Sequence, residues 1–291
     1  MEKPYRILHE GFDDVSLTFD PKPVVYRSDI QERIETLWEE TKKKVTEKGG
    51  KLFRGPIAKV MSMRVEDRTL HADLKLTDYG AFIGTNSLPS EVTGFDPWNP
   101  TDTRNVAYPL SVGVVTVTAD DFVIFGEKTK KNPYVGDTPM FTLAPEGYVN
   151  PVTDFGARLD ETKEDEFGTR DGHAIGVSLQ NAVLRELPGE LNLHPFRPSH
   201  VVADCVINKH PMISFIARSP YKKDHVLSRW NAIGNKEYTA LHFIGNTPSS
   251  IEAFLDEPVI TKSSTAPRRE FMAPHPRGNA EFYQAHFDDF N

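Results

Sequence analysis

Apolar residues first fall into a regular period near the N-terminus, where Ile30, Ile34, Leu37 and Trp38 recur on one helical face. Ser28 and Gln31 have the spacing of a capping box. Asp29 and Glu32 lie where a helix dipole is positive, Lys42 to Lys44 where it is negative, and Gly49-Gly50 stops the run. Together these signals predict a helix over about 29–48. The period then shortens to that of a strand. Residues 57–65 and 70–76 read as a hairpin, because Leu70, Ala72, Leu74 and Leu76 alternate with polar neighbours. The following LTDYGAFIGTN, 76–86, predicts a short amphipathic turn, and the Pro-, Gly- and Asp-rich stretch 87–109 an irregular connection.

A second strand-rich region opens with the β-branched SVGVVTVT at 111–118, which Asp120-Asp121 separates from 122–125 in another hairpin pattern. Further on, 179–187 is helix-like, 201–208 and 212–217 are strand-like, Ser250 opens a short helix through Phe254, and 278–286 closes the chain as a helix. The stretch 152–173 is acidic and polar with little to bury, and reads as an exposed insertion. Strands alternating with a few helices define an α/β or α+β class. We expect 1–108 to form an N-terminal α/β extension and 109–291 a second domain carrying the insertion.

Composition narrows the function. The 38% hydrophobic content with 18 Phe, 9 Tyr and 3 Trp is that of a folded chain. A net charge of −8 disfavours nucleic acid as a partner, since such binding needs clustered Lys and Arg. No run of about 18 apolar residues occurs, so neither a membrane span nor a signal peptide is expected. The single cysteine, Cys205, excludes an internal disulfide and reads as an inert thiol on a buried strand. A cytoplasmic chain is the expectation, and oligomeric state is not encoded in any pattern.

The candidate chemistry lies in AVLRELPGELNL, 182–193. Glu186 and Glu190 are four residues apart and share one face of a continuous helix, where two carboxylates could hold Mg²⁺. Glutamates at this spacing also decorate ordinary solvated helices, so the pair alone proves nothing. Rival chemistries lack support: His173, His194 and His210 have no metal-ligand spacing, and neither a Gly-x-Ser-x-Gly elbow nor a Gly-rich phosphate loop is present.

Arg185-Glu186-Leu187-Pro188-Gly189-Glu190-Leu191-Asn192-Leu193 resembles the end of a Nudix box. In that box, Arg-Glu, an apolar residue, any residue, Glu-Glu, any residue, Gly and an apolar residue follow one another. A closer likeness is to the Nudix-type UDP-glucose and UDP-galactose pyrophosphatases of animals. It is carried by Leu76-Thr77, Tyr79, Phe82 and Gly84-Thr85-Asn86, by Pro109 to Gly113, and by Thr118-Ala119-Asp120-Asp121-Phe122 with a basic residue at Lys128. The resemblance implies a Nudix-type α/β/α sandwich with a mixed sheet. It also implies Mg²⁺-dependent cleavage of a nucleoside diphosphate-sugar, with Mn²⁺ as an alternative metal. Glu186 and Glu190 become the catalytic and metal-binding residues. Tyr79, Asn86, Lys128 and Gly147, the counterpart of the glycine that opens the box, become the substrate-binding set.

Three departures touch this expectation. Gly189 stands where the family has a metal-ligating glutamate, Val177 where it has a glutamate that orients the Arg, and Pro188 cannot continue an uninterrupted helix. Glu166 or Asp171 of the insertion could substitute for the missing acids. The alternative function is therefore a catalytically impaired Nudix fold that binds a nucleotide or a partner.

Overall fold

A computed structural model describes residues 5–10, 12, 14–47, 49–96, 102–128, 139–155, 179, 182, 200–206, 210–233, 237–260, 265–272, 274–285 and 287–290. The N-terminal part runs β1 (Tyr5–His9), β2 (Asp14–Pro23), α1 (Ser28–Glu47), β3 (Pro56–Glu66), β4 (Thr69–Asp78), α2 (Tyr79–Asn86) and α3 (Ser90–Thr93). Helix α1 buries Ile30, Ile34, Trp38 and Val45, which is the face its periodicity predicts. Its first turn differs from the capping-box expectation. The Arg27 carbonyl accepts from the Ile30 and Gln31 amides, while Gln31 Nε2 turns forward to Glu35 Oε1 at 2.8 Å. The last turn closes as a Schellman motif, with Gly50 N–H donating to Val45 O and Gly49 N–H to Thr46 O. Gly49 supplies the left-handed φ of 76° that this motif requires.

Strands β3 and β4 form the expected antiparallel hairpin through Asp67 and Arg68, both at positive φ, and β2 adds in parallel on the far side of β4. The run at 79–86 is not an amphipathic turn but a helix with six buried residues. Its apolar residues are spread around the helix and not gathered on one face, so burial of nearly the whole helix is its stable solution. Asp78 caps it, accepting from Ala81 N at 2.9 Å. Gly84 lets it sit directly on α1, where a Cβ would come within 2.7 Å of Ile34 Cα.

The larger sheet takes β5 (Ser111–Val117), β6 (Phe122–Lys128), β7 (Met140–Leu143), β8 (Glu146–Tyr148), β9 (His200–Val206), β10 (His210–Arg218) and β11 (Tyr238–Gly245). Its order is β1-β9-β10-β5-β6-β11. β5 and β10 lie parallel at its centre and are buried along almost their whole length, as strands covered on both faces must be. The hairpin expected at 111–125 holds only at its turn, where β5 and β6 pair at Val117 and Val123. Beyond it the two strands diverge. Residues 140–148 fill the gap, with β7 pairing to β6 and β8 pairing to β5.

Alternate residues of this sheet enter two cores. Val112, Val114, Ile124, Ile213 and Phe215 pack with the smaller sheet, with Val226 and Trp230 of α5 (Lys223–Asn231), and with Leu179 and Ala182, both helical. Val115, Val117, Val123, Phe125 and Ile216 pack instead against α6 (Pro248–Asp256) and α7 (Pro274–Ala285). The predicted helix opening at Ser250 lies two residues into α6, because Thr247 is the residue that caps it, accepting from Ser250 N at 3.2 Å. α4 (Pro151–Phe155), the short β12 (Pro258–Ile260) and β13 (Thr265–Pro267), a 3-10 turn at Arg268–Phe271 and α8 (Phe287–Phe290) complete the described elements. The result is a mixed α+β, Nudix-like sandwich. Among the described residues no helix is long and apolar enough to cross a membrane.

Candidate functional site

The sequence runs that carry the family resemblance are largely occupied with architecture. In LTDYGAFIGTN, Thr77 Oγ1 pairs with Tyr26 OH at 2.8 Å, Asp78 caps α2, and Gly80 makes room for Arg54, whose Nε would lie 2.7 Å from a Cβ there. Thr85 Oγ1 donates to Ala81 O and accepts from Ala107 N, which ties the 102–110 segment to α2. The Arg54 guanidinium grips both oxygens of Glu35 at 2.6 and 2.9 Å and Asp78 Oδ1 at 2.8 Å. That bond holds the Glu35 carboxyl below its ordinary pKa and raises that of Arg54. The TADDF run behaves alike. Thr118 Oγ1 accepts from Phe122 N, Asp120 accepts from the Lys223 amide of α5, and Asp121 accepts from Asn246 Nδ2.

What these runs leave for chemistry gathers around β8. Tyr79, at the start of α2, meets Tyr148 with ring centroids 6.0 Å apart. Phe82 lies 5.2 Å from Tyr148, and His210 lies 5.8 Å from Phe82 and 5.7 Å from Tyr148. Gly147 pairs across the sheet with Val112 and separates Tyr148 from Glu146. Lys128, at the end of β6, is only 5% exposed. Its ammonium lies 3.5 Å from Glu146 Oε1, donates to Glu237, and sits 4.8 Å over the Tyr238 ring.

Three of the four expected substrate-binding residues, Tyr79, Gly147 and Lys128, are therefore linked through β8. Asn86 is exposed at the far end of α2. Lys128 is an ion-paired, buried cation and not an exposed strand-end lysine. The expected catalytic and metal-binding residues Glu186 and Glu190 lie outside the described residues, as do Gly189, Val177, Pro188, Glu166 and Asp171. Among the described residues no three His, Cys, Asp or Glu side chains group as metal ligands would.

Sequence reasoning missed Glu146, Tyr148 and Glu237, although Glu146 and Tyr148 flank the glycine it singled out. It also missed Lys59 on β3. This lysine is fully buried and donates to the carbonyls of Thr103 and Arg104 at 2.6 and 3.2 Å. Its ammonium lies 5.2 Å from the Tyr26 ring, and desolvation lowers its pKa to about 7.

The fold is a mixed α+β sandwich consistent with a Nudix-like one, and the candidate site is a group of aromatic rings and a group of charges on either side of Gly147. No family model matches the chain. It is similar to the uridine diphosphate glucose pyrophosphatase NUDT22 of Homo sapiens, with 30% identity over 124 residues, which is 41% of this chain and 38% of that protein. With the protein of the same name from Mus musculus it shares 30% identity over 145 residues, 48% of this chain and 44% of the other. The matches thus span about two fifths of the length of these curated relatives.

Proposed function

We propose that the chain is a Nudix-type hydrolase that cleaves the pyrophosphate of a nucleoside diphosphate-sugar, UDP-glucose-like, into a nucleoside monophosphate and a sugar phosphate. The similarity to two proteins named as uridine diphosphate glucose pyrophosphatases supports this reading most directly. In it, 1–108 is the N-terminal extension, 109–291 is the Nudix-like domain, and the chain works in the cytoplasm. Water adds to one phosphorus while the bridging P–O bond breaks, and the proton released passes to solvent. Glu186 and Glu190 would hold Mg²⁺ or Mn²⁺, which would neutralise the diphosphate and lower the pKa of a water. Tyr79, Gly147 and Lys128 contribute through β8.

The test is to incubate the purified chain with UDP-glucose and Mg²⁺ and follow UMP and glucose 1-phosphate by chromatography. Product is expected from the unaltered chain and not from Glu190→Gln. Absence of product, or an equal rate in the variant, removes the proposal. Gly189 supports a second reading, a nucleotide-binding module without turnover, because the position offers no carboxylate for a metal. Saturable UDP-glucose binding with no product would establish that reading instead.

A further inference from the structure

We infer that the outer edge of β11 is a self-association surface, onto which a second copy of this chain adds its own β11, antiparallel, across a two-fold axis at His242. β11 ends the larger sheet. It is bonded to β6 on one side, and among the described residues no strand pairs with its other side. The ladder shows which groups point outward. Asn246 N–H donates to Asp121 O at 3.0 Å, in register with the pairs of Ile244 with Val123 and of His242 with Phe125. Antiparallel bonding alternates along a strand, so these residues turn their backbone polar groups toward β6, while Leu241 and Phe243 turn theirs outward.

Exposed edges are ordinarily blunted by Lys, Pro, bulges or short length. β11 runs for 8 residues, Tyr238–Gly245, with neither a Pro nor an Asp, Glu, Lys or Arg, and its irregular pairing falls at its start, between Tyr238 and Ala240. Leu241, His242, Phe243 and Ile244 are half-buried, and a groove of about 410 Å³ lined by Ile244, Ala253 and Phe254 continues the apolar surface beside the strand. A two-fold interface sets one patch against itself, so a charge at its centre meets its like. In a chain of net charge −8 with 26% charged residues, this strand is free of that repulsion. Burial, with Arg268, lowers the His242 pKa against the pull of Glu127 and Glu257, so two facing copies of His242 are neutral at pH 7. The sizes match as well. Centred on His242, the pairing sets Leu241 opposite Phe243 and Ala240 opposite Ile244 of the second copy, and forms about four backbone bonds.

Sedimentation velocity of the full chain at about 100 μM, above the Kd of a weak strand-paired interface, is expected to show a dimer. Leu241→Pro removes an outward N–H and none of those that bond β6, and is expected to weaken association more than about tenfold. Should that variant fail to fold, His242→Lys, which sets two ammonium groups face to face, carries the same expectation. Oxidation reads the register. Facing Cα atoms at position 242 would lie about 4.5 Å apart, within disulfide reach, so His242→Cys is expected to cross-link into a covalent dimer. Ile244→Cys is not, because its two copies would lie about 14 Å apart along the strands. Cys205, on β9, is common to both variants. A monomeric unaltered chain would leave the edge to some other occupant and overturns the inference. So does a dimer that persists in folded Leu241→Pro or in His242→Lys, or cross-linking no greater at 242 than at 244.

Discussion

Lys59 and Lys128 are both sealed from solvent, at 0% and 5% exposure, and the chain accommodates their charges in opposite ways. Lys128 is surrounded by countercharge, with Glu146 at 3.5 Å and Glu237 bonded to its ammonium. Lys59 meets two backbone carbonyls and a tyrosine ring, and among the described residues no carboxylate bonds to its ammonium. Each lysine also serves a different part of the molecule. Lys128 and Tyr148 flank the candidate site through Glu146, whereas Lys59 straps the 102–110 segment onto β3, beside the bonds from Val60 N–H to Tyr108 O and from Leu110 N–H to Ala58 O. A buried lysine in this fold therefore marks either a charged site or a structural clasp, and its partners tell which.

Lys128 is the more readily disturbed of the two. Lys128→Met leaves Glu146, 12% exposed, without its cation, and is expected to cost about 3 kcal/mol in a urea melt. Adding Glu146→Gln to that variant should recover part of the loss. A cost below 1 kcal/mol, about that of a surface pair, would show that Lys128 is not held by its carboxylates.

Lys59 should show itself through pH. Its folded pKa of about 7 lies below the ordinary 10.5, so between these values the unfolded chain binds a proton that the folded chain does not. Stability then rises with pH through that window, by about 2 kcal/mol between about pH 7.5 and 9, and is insensitive to Lys59 below it. Besides the carbonyls, the charged neighbours acting on Lys59 are Asp102, which favours the ammonium, and Lys75, which opposes it. Lys59→Met should flatten the rise in denaturation midpoints. A slope that survives in Lys59→Met would assign the linkage elsewhere.

The smallest effect sharpens the contrast by leaving both lysines alone. Asp67 and Arg68 turn the hairpin that carries Lys59, at φ of 47° and 60°. Replacing them together by Asn-Gly, whose backbones adopt these angles more readily, should raise stability by about 0.5 kcal/mol. The gain should be equal at pH 7 and 9. A gain that varied with pH would mean that the hairpin and Lys59 are not independent.

Much of the fold is legible where local signals suffice. Helix α1, the β3–β4 hairpin, the strands at β9 and β10 and the terminal helix follow from period and turn residues. α2 is misread because its six buried residues surround the helix and leave no hydrophobic face to detect, and their cover comes from α1 and the 102–110 segment. β3 shows the same limit. Its first half is buried on both faces, Lys59 included, by a segment more than forty residues further along. Tyr79, Gly147 and Lys128 could be nominated singly. That they are linked through β8 depends on the divergence of β5 and β6, which no local pattern announces.

The close seat of α2 on α1 has a consequence for how such chains are recognised. Gly84 is there because Ile34 leaves no space for a Cβ, Gly80 because Arg54 does not, and Thr85 because it bonds to Ala107. A signature built from these letters traces ancestry and architecture. It would persist in a descendant that had lost all turnover, since losing catalysis relaxes no constraint on the fit between two helices.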